Sequence, residues 1–555
     1  MSIFYKILSI FKFIKTIWKF LVLIVTPIAL LPLIVNGANP ESKCAYVLIL
    51  MAIYWTFQPI PLPITALFPV VLFPMLGLAT TEEACGPYLQ ATNMLFLSSL
   101  IIAISMESSG LHKRVALKVL MIVGNDIRRI FAGFMLTTMF LGIWIINTAA
   151  TAMILPIADV ISKEILTEDE YNDNVRLNTS NIDDSINHNN ISVKFDNEIN
   201  FVNKKLSKIG AKNDKLRRLL YISIAYSATI GGTTTLTSNG PNLVLRFVLD
   251  DIYKSLPPVD YTNWLLFCIT PTIITVVVLW IIFRVLYMRD NAISQITKAS
   301  KHIIKERYED LGSISFHESA VCFLFVSLII LWILRDPQFM NGWATVISNN
   351  IKPKDATAAV FIVVIMFFIP SDPKNSLTGP ALLSWPMVEK KLAWGVLLLR
   401  GGGFSMADVA TKSGLTKTIG DQLFQLNVFS LFGIIVIMSL LATIFTEFAS
   451  NSAIASIFLP IAGQLASNLN VNPLFLLIPI TLSCSYAFVL PVGTPANALV
   501  SSHARLLQSD MIIPGIITKI LSLSVMLIFL WLIGIPMFDL NEFPDWAQNN
   551  QTINS

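Results

Sequence analysis

The sequence predicts an all-α polytopic membrane protein, with about eleven transmembrane helices and two re-entrant hairpins arranged as an inverted repeat. Three observations predict it: the composition, the recurrence of apolar runs of span length, and a polar-tipped hairpin followed by an interrupted span that occurs twice. Of 555 residues, 54% are hydrophobic and 13% charged, against roughly 25% charged in soluble domains. The mean hydropathy is +0.67. Apolar windows of about 20 residues, enough to cross a hydrocarbon core, recur along nearly the whole chain. The net charge of +4 comes mainly from Lys and Arg in short connections between apolar runs, a topology signal and not a nucleic-acid footprint.

The first run, Ile17 to Val35, follows Lys6, Lys12, Lys15 and Lys19. It is too long for a signal peptide and has no convincing cleavage site, so it reads as a span with its amino end in the cytoplasm. Runs near 17–36, 44–58, 60–79 and 94–106 give four crossings that end at the basic residues His112-Lys113-Arg114, Lys118 and Arg128-Arg129. The apolar stretch from Arg129 to Lys163 is too short for two crossings of about 20 residues and too long for one. A hairpin with its polar tip at Ile146-Asn147-Thr148 fits. The segment from Lys163 to Arg218, rich in Asn, Asp, Ser and Lys without apolar periodicity, reads as a disordered cytoplasmic loop.

Further runs near 219–250, 262–288, 318–334, 356–370 and 394–409 alternate sides, with Arg284, Arg289, Lys298, Lys301, Lys305 and Arg307 on the inner side. A second hairpin spans about Val428 to Leu465 with Ser450-Asn451-Ser452 at its turn, and runs near 474–500 and 511–534 follow. The division expected is 1–129 scaffold, 130–162 first hairpin, 163–215 loop, 216–290 broken helix and following span. It continues with 291–427 linker and scaffold, 428–466 second hairpin, 467–536 broken helix and last span, and 537–555 an extracellular tail. With the carboxyl terminus outside, the Asn550-Gln551-Thr552 sequon lies on the side where glycosylation occurs, whereas those at Asn178 and Asn190 face the cytoplasm.

The five cysteines and five histidines lack metal-ligand spacing and point to no metal centre, redox centre or enzymatic cofactor. Cys44 and Cys85 both fall in outer connections, where a disulfide can form; spacing leaves that open.

The chemistry lies in the repeat. Asn147-Thr148 is followed, beyond the polar loop, by Gly231-Gly232-Thr233-Thr234-Thr235 and Gly240-Pro241-Asn242; Ser450-Asn451-Ser452 is followed by Pro491-Val492-Gly493-Thr494-Pro495-Ala496-Asn497. Gly and Pro are frequent in membrane helices, so one such motif says little. Two, entered from opposite faces, mark a site, because a broken helix at membrane depth exposes backbone groups that protein, water or ligand must satisfy. Half-helix amino ends suit a carboxylate, while unwound carbonyls with Asn, Ser and Thr oxygens suit a hard cation such as sodium. Two facing sets would hold an anion between cations.

At these residues the sequence resembles the divalent anion:sodium symporter family, whose animal branch includes sodium-dicarboxylate, sodium-citrate and sodium-sulfate cotransporters and INDY-like exchangers. The likeness runs through Pro61-Leu62-Pro63-Ile64-Thr65-Ala66-Leu67, Leu111 to Leu117, Asn147 to Met153, Gly231-Gly232-Thr233 and Gly401-Gly402-Gly403-Phe404. It continues through Thr446-Glu447, Ser450-Asn451, Leu490 to Asn497, Phe538-Asp539-Leu540 and Phe543 to Trp546. The resemblance implies an elevator-type transporter of di- and tricarboxylates that works as a homodimer in the plasma membrane and uses sodium as coupling ion. It also implies a substrate site of Asn147, Thr148, Thr233, Ser450, Asn451, Ser452 and Thr494. Sodium sites would use Asn147, Gly231, Gly232, Ser450, Asn451, Gly493 and Pro495.

The chain departs from that family at Ile146, where the first tip usually has Ser, at Gln58, at Ser98-Ser99 and at Arg400. Ile146 removes a hard donor beside the first sodium site, which keeps sodium-independent exchange as an alternative beside sulfate transport and a non-transporting receptor-like role. No Walker loop, zinc-spaced cluster or nucleophile elbow supports an enzyme. Arg400, a charge in a membrane run, is a functional candidate by default, but snorkelling from near the cytoplasmic end of its span is the favoured expectation. Glu447 is expected either to balance a cation or orient the hairpin, or to make a buried structural hydrogen bond, and Glu107 and Asp159 to be solvated or capping.

Overall fold

A computed structural model describes residues 18–35, 39–123, 126–162, 214–253, 259–288, 299–335, 341–347, 353–373, 379–423 and 429–548. Among them the chain is helical, with one isolated bridge, Pro370 to Ala381, in place of any sheet. Five described helices are long and apolar enough to cross a membrane: Trp18–Val35, Thr81–Ser109, Tyr261–Tyr287, Phe316–Ile333 and Gln508–Phe538. Their outward faces carry exposed Leu266, Val285, Phe323, Ile520 and Leu532, as apolar solvent requires and water does not.

The first helices are α1 (Trp18–Val35), α2 (Pro40–Phe57) and α3 (Leu62–Met75). The prolines at 63, 69 and 74 shorten the last of these, and it divides at Thr65 to Phe68. A capping box of Thr80 and Glu83 starts the approach to α4 (Ala91–Ser109). Gly110, at φ 78°, then turns the chain into α5 (Leu111–Val123).

From there the order of elements occurs twice. In the first pass, α4, a positive-φ glycine and α5 lead to α6 (Ile127–Trp144) and α7 (Asn147–Ser162), joined at Ile145-Ile146. Next come α8 (214–232), a break, α9 (Gly240–Ile252) and the long α10 (Tyr261–Tyr287). After α11 (Ala299–Glu309), α12 (Phe316–Ile333) and α13 (Asp355–Phe368), the second pass opens on α14 (Trp394–Lys412). Gly414, at φ 84°, turns it into α15 (Leu415–Leu423). Then follow α16 (Leu431–Phe445) and α17 (Asn451–Asn468), α18 (Leu474–Ser483), a break, α19 (Pro495–Ala504) and the long α20 (Gln508–Phe538).

Two expectations change. The basic stretch at His112 to Lys118 is no solvated connection: α5 buries His112, Arg114, Leu117 and Leu120 and exposes Lys113 and Lys118. Arg114 pairs with Glu318 of α12 at 3.0 Å and donates to the Gly312 and Leu311 carbonyls. A charge run with helical spacing and one neutralised member thus becomes a docking face. Cys44 and Cys85 do not pair, since Cys44 is buried within α2 and Cys85 is exposed. Most of the polar loop and the sequons at Asn178, Asn190 and Asn550 lie outside the described residues.

The core packs α9 on α17, α4 on α13 and α14 on α17. Around α14 it is tight enough to admit only glycine: a Cβ at Gly402 would strike the Ala66 carbonyl, and one at Gly401 the Tyr88 ring. At Gly110 a Cβ would meet nothing, so the φ alone demands glycine there. Gly110→Ala is therefore expected to cost about 1–2 kcal/mol. Gly402→Ala, which adds a backbone clash, should lower the thermal midpoint of the detergent-solubilised protein further; the reverse order would contradict the packing.

Candidate functional site

In the first pass α7 begins at Asn147, directly after Ile146. The Asn147 Oδ1 accepts from the Thr148 N–H at 2.8 Å, and its Nδ2 reaches Thr229 Oγ1 of α8 at 3.5 Å. Only glycine lets α6 and α8 come this close: a Cβ at Gly142 would lie 2.6 Å from the Ala228 oxygen, and one at Gly231 would meet Met139 O. A Cβ at Gly232 would sit 3.9 Å from the side chains of both Asn147 and Asn239. Asn147, Gly232 and Asn239 therefore converge where α8 ends.

The break itself is held from within. Asn242 Nδ2 faces the carbonyls of Thr235, Thr233 and Gly232 at 2.7, 3.1 and 3.4 Å. Trp264 Nε1 donates to Thr233 O, and Thr235 Oγ1 donates to Ile143 O of α6. Carbonyls that helix geometry no longer satisfies are thus met by buried donors.

The second pass solves the same problem with a charge. Thr494 Oγ1 accepts from Asn497 N and caps α19, while Asn497 Nδ2 donates to Ala487 O and Leu490 O. Glu447, 4% exposed, accepts from the N–H groups of Phe488, Val489 and Leu490 at 3.0, 3.0 and 2.9 Å. Lys519 of α20 balances it at 2.6 Å. The break then passes so close to the carboxylate that a Cβ at Gly493 would lie 2.9 Å from Glu447 Oε2. Thr446 Oγ1 lies 2.8 Å from Asn451 Oδ1 and 2.6 Å from Cys484 O, tying the hairpin tip to the end of α18.

The two passes meet. Gly240, which opens α9, packs against Ser452 in the first turn of α17, where a Cβ would collide with the serine hydroxyl. Asn147 and Gly232 are brought together on one side, and Asn451, Gly493 and Thr494 belong to the tip and break on the other. Ser450 is the residue before α17 and makes no side-chain cap bond, and Pro495 is exposed at the first position of α19. Thr233 differs: its hydroxyl donates to Ile230 O at 2.7 Å, and it lines a small cavity with Phe267, Cys268 and Thr272 of α10.

Two asparagines absent from the expected site, Asn242 and Asn497, hold the breaks in shape. Their signal is in the sequence: each follows a proline at the start of the second arm, in Gly240-Pro241-Asn242 and Pro495-Ala496-Asn497. Glu447 proves to be the brace of the second break, through its three backbone N–H bonds. Asp159 is half-buried, accepting from Tyr221 at 2.7 Å and lying 3.5 Å from His503, and the exposed Glu107 pairs with Lys391 at 2.8 Å.

Arg400 does not snorkel. It is 1% exposed within α14, and its Nε and both terminal nitrogens are buried without a hydrogen-bond partner. Its guanidinium lies 4.2 Å from the Phe96 ring centre and 5.3 Å from that of Phe404. Such contacts return about 2 kcal/mol when desolvated, less than the several kcal/mol that burying the ion costs.

Comparison with known proteins places this architecture. The family described as the sodium:sulfate symporter transmembrane region matches residues 14–540. The chain is 36% identical over 565 residues to the Na(+)/citrate cotransporter of Mus musculus, covering 97% of this chain and 98% of that protein. It is 37% identical over 576 residues to the human Na(+)/dicarboxylate cotransporter 3, covering 96% and 95%. With the sodium-dependent low-affinity dicarboxylate transporter 1 of Caenorhabditis elegans it shares 36% over 561 residues, covering 98% and 94%.

The brace at the second break can be tested directly. Glu447→Gln should leave Lys519 unpaired, destabilise the folded protein by about 3–5 kcal/mol and lower its thermal midpoint. Adding Lys519→Met should restore part of that loss; no recovery in the double variant would show that the pair is not the brace.

Proposed function

We propose that the chain, which belongs to the sodium:sulfate symporter family, carries di- and tricarboxylate anions across a membrane coupled to sodium. The observation that carries this is near full-length similarity to proteins named sodium-citrate and sodium-dicarboxylate cotransporters. It is a transporter and not an enzyme. Sodium-independent exchange, sulfate transport and a receptor-like role are the less supported readings.

The finer assignment rests on the breaks. Asn147, Gly231 and Gly232 on one side, and Ser450, Asn451, Gly493 and Pro495 on the other, supply amide, hydroxyl and carbonyl oxygens of the kind a hard cation takes. The anion lies between them, against Asn147, Thr148 and Thr233 of the first set and Ser450, Asn451, Ser452 and Thr494 of the second. The contact of Gly240 with Ser452 supports this, because it joins the two sets into one junction of helix ends.

Residues 130–162, 216–290, 428–466 and 467–536 form the moving body, and 1–129 with 291–427 the scaffold it passes. The cycle is an elevator in a homodimer of the plasma membrane, with about eleven crossings, the amino end inside, the carboxyl tail of 537–555 outside and Asn550 glycosylated. The prominence of α5 and α15, each set off by a glycine at positive φ, supports such a division. Each lies between a span and the hairpin that follows it.

Labelled citrate and succinate should enter cells bearing the protein in sodium medium and fail to do so when choline replaces sodium. No uptake of either, with surface expression confirmed, would overturn the transport reading, and equal uptake in both media would remove sodium coupling. Ile146 withholds a hydroxyl from the first tip, so Ile146→Ser should lower the sodium concentration for half-maximal uptake. An unchanged sodium response would mean that backbone oxygens already suffice there.

A further inference from the structure

We propose that Arg400 is a docking group for one carboxylate of the transported anion, a reading that rests on the function proposed above. Among the described residues, Arg400 is the charged side chain whose guanidinium nitrogens are all buried and unpartnered. Arg114, Arg246 and Arg335 each meet a carboxylate, Glu318, Asp250 and Asp355, at 3.0, 3.1 and 2.9 Å. The protein supplies Arg400 with no such anion. Phe96 and Phe404 face the cation and accept none of its N–H groups in ordinary hydrogen bonds.

Its place in the fold connects it to the junction of the two half-sites. One turn beyond Arg400, a Cβ at Gly403 would lie 2.5 Å from Ser456 Oγ. Ser456 donates to Ser452 O at 2.9 Å, and Ser452 packs on Gly240. On its other flank, Phe404 stacks on Phe247 of α9 with ring centres 4.3 Å apart and planes 12° apart. Arg400 therefore lies where α4, α9 and α14 meet, and α9 is the arm that opens at Gly240.

The chemistry points to a carboxylate. The half-sites offer an oxyanion neutral amides, hydroxyls and helix ends, whereas a guanidinium presents a planar fork that a carboxylate fits with two parallel bonds. The fork is closed over in this structure. It opens to cargo when α9 and α14 separate at the Phe247 and Phe404 contact, a relative movement that alternating access asks of an arm leading from the site. The exposed carboxylate of a bound di- or tricarboxylate then supplies the missing partner.

The test measures uptake of labelled citrate and succinate in sodium medium by wild type, Arg400→Leu and Arg400→Lys, each normalised to surface protein. Absence of uptake by wild type would sink the transport reading itself and is seen before any variant is compared. With wild type active, Arg400→Leu should raise KM about tenfold or more, equivalent to about 1.4 kcal/mol, with little change in maximal rate. Arg400→Lys keeps the charge without the fork and should fall between, at roughly threefold or more. A wild-type KM for both anions in the Leu variant, or a fall in maximal rate alone, would make Arg400 a packing residue and overturn the assignment. Should the Leu variant fail to reach the surface, the Lys variant decides by the same criterion.

Discussion

Backbone that leaves the helix in apolar surroundings must find hydrogen-bond partners within the protein or in its cargo, and the two breaks here are organised around that demand. Each passes several peptide units through the core between two helical arms. The first break is held by neutral groups: the Asn242 amide reaches three carbonyls, Trp264 adds a second donor to one of them, Thr233 O, and Thr235 ties the break to Ile143 O of α6. The second turns N–H groups inward, so its brace is an acceptor with capacity for three of them, Glu447. Both breaks therefore share an asparagine that donates to their carbonyls, Asn242 and Asn497, and the second adds an acid for the N–H groups it presents.

The close helix contacts follow from the same demand. A tip can be pinned by a neighbouring helix only if that helix comes within hydrogen-bond range, and side chains would prevent it. Gly142 and Gly231 bring α6 against α8, so that Thr235 can reach Ile143 O; Gly493 brings the second break onto Glu447. Small residues there act as spacers set to zero, allowing polar atoms elsewhere to make their bonds.

Much of this was legible in the sequence. The polar tips at Asn147 and Asn451 stood out against long apolar runs, and the Gly-Thr and Gly-Thr-Pro interruptions announced where a helix would stop. The roles of α5 and α15 were harder to read, because Lys113 and Lys118 looked like a solvated connection while the apolar residues between them were docking a helix. Arg114 was neutralised by Glu318, 204 positions away, and no local pattern could reveal that. Asn242 and Asn497 were visible only as asparagines following a proline at the start of an arm, since their work is done by contacts across the break. The burial of Arg400 was hidden for the same reason: Phe96, which covers it, comes from α4, some 300 positions earlier in the chain.

The Glu447 and Lys519 pair carries a consequence for electrical behaviour. The acid braces the second break and the base belongs to α20, so both lie in the part of the chain assigned to the moving body, 2.6 Å apart. Such a pair is a dipole of no net charge. A membrane voltage exerts about 2.3 kcal/mol per elementary charge per 100 mV on a charge carried across it, and this pair contributes nothing to that work. The transient charge displacement recorded when the body moves without cargo then contains no contribution from this brace and reports the other charges that move with it.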